Sequence, residues 1–268
     1  MLTTLGQIGL VQRTYDRRID ALSKEAFIQR EAAYFRENIG KVDSGDGLMK
    51  DYRLYSFAMK AFGLESEIYA KGLMKKVFDE GILSDKSTAN RLDDPKYREI
   101  AEAFGFAESG NLNMLFEENV EAVVQRYLTQ ELELRQGEES EAVRLALYFD
   151  RQISKAENWY EVLADPALAE VVRTGLGLPK EFSLANIDRQ AAYFEDRLKL
   201  EDFKDPVKRK EFIERFGAHW DMQQASAMGG NAVLIANGIA PIQPLAPGSA
   251  QIFSIDPSLL ADLARYKI

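Results

Sequence analysis

The amino-acid sequence predicts an all-α protein: a compact multi-helix bundle with two related halves and a Gly/Pro-rich C-terminal tether that ends in a short helix. Three observations support this prediction. A capped amphipathic segment recurs along the chain, helix signals fill most of the intervals between its copies, and glycine and proline concentrate only near the C-terminus. We therefore expect any sheet to be confined to that tail.

The recurring segment begins with aspartate and closes with glycine, and its four copies span residues 51–63, 94–105, 165–177 and 205–217. Aspartate is a good N-cap because its carboxylate accepts from the free N–H groups of the first turn. Proline follows it in three copies and suits the first helical position. Glycine can adopt the left-handed conformation that closes a helix. Each copy therefore predicts a helix with its own start and stop.

Apolar residues in these copies fall on one helical face. The first two copies follow the i, i+3, i+4, i+7 spacing of an amphipathic helix, through Tyr55, Ala58, Met59 and Phe62 and then through Tyr97, Ile100, Ala101 and Phe104. The third and fourth copies place Arg173 and Arg209 in the corresponding stripe. The apolar face is thus complete in two copies and looser in two.

The spacing of the copies indicates an internal duplication. Gly63 and Gly105 recur as Gly177 and Gly217, after 114 and 112 residues. We expect a first helical half at 1–110, a connecting long helix at 111–139, a second helical half at 140–227 and an irregular tail with a terminal helix at 228–268. Such repeats build either a concave binding surface or one compact bundle. Four unequally spaced copies favour the bundle.

The remaining elements follow from periodicity and punctuation. Before and between the first two copies we expect helices at 3–22, 24–38 and 65–80. A polar break at 108–113 precedes the long helix at 114–135, and Ser140 is the expected N-cap of a helix at 141–156. A short helix at 159–164 precedes the third copy. Ser183 is expected to cap a helix that reaches Leu198, and the fourth copy should end at Gly217.

The tail has a different composition. Pro241, Pro244 and Pro247 forbid a helix between residues 228 and 250. Residues 232–236 and 251–255 could form two short strands or apolar tethers. Asp256 and Pro257 open a last amphipathic helix that extends to about residue 267.

Composition limits the classes of function. The formal net charge of −9 disfavours nucleic-acid binding, and the basic stretch 204–210 is diluted by acidic residues. No apolar run approaches the ~18 residues of a membrane span. The N-terminus lacks the basic region of a signal peptide. The chain has no cysteine, which fits a reducing cytoplasm and also fits export by a dedicated route.

No motif predicts a catalytic, cofactor-binding or metal-binding residue. His219 is the sole histidine, and neither a nucleophile elbow nor a Glu-x-x-His pair accompanies it. The acidic residues of the central region could bind a cation or a basic partner, but solvated helix faces explain them better: Glu117, Glu118, Glu131, Glu133, Glu138 and Glu139. Four amides could line a pocket, although no spacing requires it: Asn111, Asn113, Gln223 and Asn231.

Four segments of the sequence resemble those of a known family, at residues 34–42, 55–65, 89–94 and 254–260. Through them the chain resembles the all-α bacterial proteins grouped as domain-of-unknown-function family 1217. The resemblance implies a helical fold with an internal duplication, and members that are often encoded beside flagellar genes. It carries no enzymatic residue onto this chain.

The sequence therefore predicts a non-enzymatic structural or protein-interaction protein, connected with flagellar assembly or function. We expect protein partners, flagellar components among them, no cofactor, and a location in the cytoplasm or outside the cell after export with the flagellar apparatus. The apolar-striped termini, residues 3–22 and 257–267, are the expected docking elements. Two alternatives stay open: a small-molecule binder or enzyme that uses carboxylates in a cleft between the halves, and an oligomer built through the 114–135 helix.

Overall fold

Every regular element in the part of the chain that the structure describes, residues 2–227 of a computed structural model, is a helix, as the sequence predicts. The tether, strands and terminal helix expected after residue 228 lie outside the described residues. The helices, in chain order, are α1 Thr4–Arg13, α2 Tyr15–Ser23, α3 Ala26–Asn38, α4 Gly45–Lys50, α5 Tyr52–Ala61, α6 Lys71–Glu80, α7 Thr88–Arg91, α8 Lys96–Phe104, α9 Phe106–Ser109, α10 Glu117–Glu139, α11 Glu141–Gln152, α12 Trp159–Ala164, α13 Pro166–Gly175, α14 Ile187–Arg197 and α15 Pro206–Ala227.

Short 3₁₀ turns connect several of these helices, at Ile39–Lys41, Glu65–Glu67, Leu112–Leu115, Ile153–Lys155, Lys180–Leu184 and Leu200–Lys204. The chain groups into two units, Met1–Gln224 and Ala225–Ile268. The helices and contacts described here from α1 to Gln224 belong to the first unit.

The long helix α10 lies inside this unit, where it packs against α2, α5 and α11. Leu132, Glu133 and Gln136 are buried along it. The buried face of α10 is therefore used within the chain, and an oligomer built through this helix would have to use its other faces.

Stacked aromatic rings join the helices of each half. In the first half, Phe57 of α5 stacks on Phe35 of α3 and on Tyr127 of α10, with ring centroids 4.5 and 4.1 Å apart. In the second half, Phe149 of α11 lies 5.5 Å from Phe212 of α15. Offset and edge contacts of this kind add to the free energy gained by burying large rings.

The predicted caps are confirmed for the first and third copies. Asp51 accepts from the backbone N–H groups of Arg53 and Leu54, and Asp165 accepts from those of Ala167 and Leu168. The closing glycines of the first three copies, Gly63, Gly105 and Gly177, all have left-handed φ values, between 60° and 70°. The sequence signals therefore describe real helix ends in these copies.

Two boundaries of the repeat copies differ from the sequence prediction. The second-copy helix begins at Lys96, whose N–H donates to Asp94, so the aspartate caps from one residue further out than expected. The fourth copy does not end at Gly217, because α15 continues to Ala227. A Cβ at Gly217 would lie 3.4 Å from Ile8 and 3.5 Å from the backbone of Leu5. Position 217 therefore lies against α1, inside a helix that continues past it.

Other predicted boundaries also shift. The 65–80 helix is a 3₁₀ turn followed by α6, and Asn186 replaces Ser183 as the cap of α14. The expected 3–22 helix is broken at Thr14, whose hydroxyl donates back to the carbonyl of Leu10. No glycine or proline marks that break in the sequence.

The N-terminal segment is packed on the body of the protein. Ile8, Val11 and Leu22 are buried, and the N–H of Thr4 donates to the carboxylate of Asp221. The apolar stripe that made residues 3–22 a candidate docking element is therefore already used within the chain. The other candidate, residues 257–267, lies outside the described residues.

Candidate functional site

A cleft of about 530 Å³ lies where the predicted first half, α10 and the second half meet. The first half contributes Gly63 and Lys96, and α10 contributes Gln130. Tyr148, Asp165 and Trp220 line the cleft from the second half. A cleft of this volume with a few converging polar groups has the size of a small-molecule site.

The hydrogen bond between Tyr148 and Asp165 forms the floor of the cleft. The Tyr148 hydroxyl donates to Oδ2 of Asp165, while Oδ1 of Asp165 accepts from the first-turn N–H groups of α13. Burial raises the pKa of Tyr148 above its usual value, and the negative charge of Asp165 raises it further. The hydroxyl proton is therefore held in place at neutral pH, and Tyr148 positions the cap of α13.

Lys96 connects the two halves across this floor. Its Nζ lies 3.8 Å from Oδ2 of Asp165 and 3.2 Å from Oδ2 of Asp94. The same ammonium is 5.7 Å from the centroid of the Tyr148 ring, a distance at which a cation is attracted to an aromatic face. The first turn of α8 thus reaches into the second half.

An ion pair between buried Glu133 and partly buried Arg151 lies beside the Tyr148 ring. Arg151 donates to both carboxylate oxygens of Glu133, at 2.8 and 2.9 Å, and its guanidinium is 5.2 Å from the Tyr148 centroid. Burial lowers the pKa of Arg151, but the hydrogen bonds and charge of Glu133 outweigh it and raise the pKa overall. Bidentate pairing of this kind compensates a buried charge.

A second ionic contact also crosses between the halves. Glu99 of α8 accepts from Lys155 at 3.0 Å and from Arg126 of α10 at 2.6 Å. Burial would raise the pKa of Glu99, but the charges and hydrogen bonds of Lys155 and Arg126 lower it below its usual range. Together with Lys96, this pair holds α8 against the second half.

The first half contains the same tyrosine–aspartate hydrogen bond, 114 residues earlier in the chain. Tyr34 donates to Oδ2 of Asp51 at 2.6 Å, and Asp51 caps α5 as Asp165 caps α13. Here the guanidinium of Arg53 lies 4.0 Å from the Tyr34 centroid and pairs with Glu31 at 2.8 Å.

The positions that correspond to Arg53 and Glu31 are Ala167 and Leu145, and both line the cleft. The cleft is therefore open where the first half carries an arginine and a glutamate.

Other features recur at the same spacing. Ser44 and Asn158 cap α4 and α12 with their side chains. Leu64 and Leu178 each follow a left-handed glycine, and their N–H groups donate to the carbonyls five residues earlier, of Met59 and Arg173. This recurrence is what the predicted duplication requires. The duplication itself stays a prediction, which superposition of the two halves tests.

The candidate residues from the sequence do not converge on the cleft. His219 is half-buried against Gly177, and burial, followed by the charge of Arg215, lowers its pKa. Three of the four amides bond to backbone carbonyls: Asn111 to Gly40, Asn113 to Glu102 and Ala103, and Gln223 to Leu178. The fourth, Asn231, lies outside the described residues.

The central carboxylates divide into two groups. Glu131 pairs with Lys60 and Arg135, and Glu133 pairs with Arg151. The others, Glu117, Glu118, Glu138 and Glu139, are exposed, as expected for a solvated face. The basic stretch 204–210 is likewise divided, with Lys208 paired to Asp202 and Arg209 to Asp150.

No local sequence pattern groups the cleft residues Lys96, Tyr148 and Asp165. Lys96 and Asp165 are 69 positions apart and meet only through tertiary packing. The 114-residue recurrence of Tyr34 and Asp51 as Tyr148 and Asp165 could have indicated the floor.

Polar and charged side chains line the cleft, and their ion pairs hold helices together. Within residues 2–227, no group of three histidine or carboxylate side chains is placed to hold a metal ion. In the same range, no helix combines the length and apolar character that crossing a membrane requires.

These features define an all-α protein with a polar cleft between ion-paired helices. The chain belongs to the family described as protein of unknown function (DUF1217), whose family model matches residues 61–208. It is similar to the crystal structure of protein AGR_C_984 from Agrobacterium tumefaciens, with 36% identity and a TM-score of 0.76 over 83% of this chain and 97% of that one. A search of curated proteins finds no match.

Proposed function

We propose that this chain is a non-enzymatic structural protein that works by binding other proteins. One observation carries the proposal: Leu112, Leu115 and Phe116 expose 50%, 60% and 58% of their surface within five residues. We call these three side chains the apolar ridge. Apolar side chains exposed side by side are typical of protein-binding surfaces.

The backbone of the ridge is held in place. Met114, inside the ridge turn, is buried. Asn111 donates to the carbonyl of Gly40 at 2.7 Å, and Asn119 donates to the carbonyl of Asn113 at 2.9 Å. A ridge fixed before binding loses little conformational entropy when a partner arrives, which favours affinity.

The charge beside the ridge indicates the chemistry of the partner. Glu117 and Glu118 are exposed in the first turn of α10, directly after Phe116, and the whole chain carries a net charge of −9. A complementary partner presents an amphipathic segment with apolar residues toward the ridge and lysine or arginine toward the two glutamates. The family resemblance directs the search to flagellar rod, hook or export components, in the cytoplasm or after export.

The test is affinity capture from flagellated cells with the tagged full chain. Leu112→Ser with Phe116→Ser should abolish the enrichment of flagellar components without altering the circular dichroism spectrum. A matched control, Leu83→Ser, changes a side chain that is 84% exposed elsewhere and should capture the same proteins as the wild type. Equal capture by all three forms would contradict the proposal.

A second candidate function is small-molecule binding in the cleft, which the convergence of Lys96, Tyr148 and Asp165 beside Trp220 favours. Its charged groups already have partners, so the ligand that suits it is polar and bears both hydrogen-bond donors and acceptors. A metabolite that raises the melting temperature of the wild type should have no effect on Ala167→Trp, which fills the cleft. The control Ala122→Trp, on an exposed face of α10, should respond as the wild type does.

A further inference from the structure

The second half of the molecule has a face that the first half covers. Glu141, Leu145, Tyr148, Asp165, Pro166 and Ala167 all line the cleft that Lys96 enters. These six positions therefore form one continuous surface, which we call the second-half face. Its occupant within the chain is the first turn of α8.

The positions 114 residues earlier form a corresponding surface, the first-half face: Phe27, Glu31, Tyr34, Asp51, Tyr52 and Arg53. Contacts between its members show that it is continuous. Tyr34 bonds to Asp51, and Arg53 both pairs with Glu31 and lies over the Tyr34 ring. Phe27 lies one helical turn before Glu31 in α3.

The first-half face is open and more apolar at its edges than its counterpart. Phe27 is 57% exposed and Tyr52 is 58% exposed, where the second-half face has Glu141 and Pro166. Aromatic side chains are enriched in the centres of protein interfaces because they bury much area and lose little entropy.

The first turn of α15, in the fourth copy, corresponds to the first turn of α8, in the second copy. If Gly105 of the second copy is matched to Gly217 of the fourth, Phe104 corresponds to Phe216 and Lys96 corresponds to Lys208. The residue before Lys208 is Val207, which is 64% exposed. Lys208 is half-exposed and pairs with Asp202 on its own chain, as Lys96 pairs with Asp94. The first turn of α15 therefore presents a paired lysine and an apolar side chain, as complements to the carboxylates and aromatic rings of the first-half face.

Phe27, Tyr52 and Val207 are all exposed, so within residues 2–227 the two surfaces do not cover each other. A second copy of the chain can bring them together.

We propose that copies of this chain associate head to tail, with Val207 and Lys208 of one copy docked on the first-half face of the next. The Lys208 ammonium approaches Asp51 and the Tyr34 ring as Lys96 approaches Asp165 and the Tyr148 ring. The two surfaces differ, so the contact is heterologous and leaves a free surface at each end. Such contacts build open chains.

Arg53 restrains this association. Its guanidinium occupies the Tyr34 ring face, whereas the corresponding Ala167 leaves the Tyr148 face free for Lys96. An incoming lysine must displace a like charge, which weakens the contact. The replacement Arg53→Ala removes that charge and gives the first-half face the side chain of the second-half face.

The experiment is sedimentation velocity of the full chain across concentrations. The weight-average mass should rise above the monomer mass of 30.3 kDa for the wild type, and the Arg53→Ala variant should associate at about tenfold lower concentration, the effect expected of one removed close charge repulsion. A monomer for both proteins up to the highest soluble concentration would overturn the proposal. So would Arg53→Ala association no tighter than that of the wild type.

Mixing two variants that each lack one surface tests which surfaces form the contact. In the Arg53→Ala background, Phe27→Ser with Tyr52→Ser removes one surface, and Val207→Ser with Lys208→Glu removes the other. Each variant alone should be monomeric, and an equimolar mixture should form a dimer and nothing larger, since each partner retains one surface. Tyr69→Ser, at a side chain that is 85% exposed, should change nothing. Association of either variant alone, or none in the mixture, would overturn the assignment.

Discussion

Removing the carboxylate of Asp165 tests the floor of the cleft. Asp165→Ala deletes the cap of α13, which costs about 1 kcal/mol. It also leaves the buried Tyr148 hydroxyl without its acceptor, which costs about 2 kcal/mol. The free energy of unfolding should therefore fall by about 3 kcal/mol, and the melting temperature by about 6–12 °C for a chain of this size.

Asp51→Ala is the matched control because Asp51 makes the same contacts in the first half. The Tyr34 hydroxyl is only partly buried, so water can replace the lost acceptor. The expected loss is about 1 kcal/mol, from the cap alone.

Circular dichroism at 222 nm during urea and thermal unfolding measures both losses. In a Tyr148→Phe background, Asp165→Ala should cost only about 1 kcal/mol, because no hydroxyl is left unpaired. Equal losses for Asp51→Ala and Asp165→Ala in the wild-type background would refute the reasoning.

Three further predictions concern stability. Glu133→Ala removes a carboxylate that is 2% exposed together with its two hydrogen bonds to Arg151, and should destabilise the fold by about 1–3 kcal/mol in urea unfolding. Glu141→Ala removes a carboxylate that is 49% exposed from its pair with Arg144 and should cost less than about 1 kcal/mol. Gly177→Ala places a Cβ at φ 70°, 3.0 Å from Cε1 of His219, and should lower stability by about 1–2 kcal/mol in the same assay. Burial raises the pKa of Tyr55 to about 12, whereas in the unfolded chain the pKa is about 10. The stability that comes from keeping this hydroxyl protonated is therefore fully present below pH 10 and is lost as the pH rises toward 12. Absorbance at 295 nm should show that this tyrosine ionises only as the protein unfolds.

Local signals predicted the helical fold and several of its helix ends. Asp51 and Asp165 cap helices as expected because a cap depends on three or four consecutive residues. Gly217 was predicted wrongly because glycine occurs inside helices as well as at their ends, and only the structure shows that α15 continues past it to Ala227. The break at Thr14 has no strong local signal, so it too required the structure.

The site depended on contacts that no local pattern encodes. Arg173 interrupts an apolar stripe in the sequence, yet it is buried, where it donates to the carbonyl of Leu178 and pairs with Glu170. In the sequence, nothing distinguishes Lys96 from any other lysine in the first turn of a helix, because only tertiary packing brings it close to Asp165. Sequence reasoning could therefore find the floor only through the 114-residue spacing, and could not find the cleft above it.

The most direct test of the proposed function is hydroxyl-radical footprinting of the apolar ridge. The tagged chain is labelled in complexes recovered from cells and, separately, as the purified monomer. Leu112, Leu115 and Phe116 should be protected in the complexes, while the exposed Tyr69 should be labelled equally in both samples. Equal labelling of the ridge in both samples would contradict the claim that this chain works by binding proteins there.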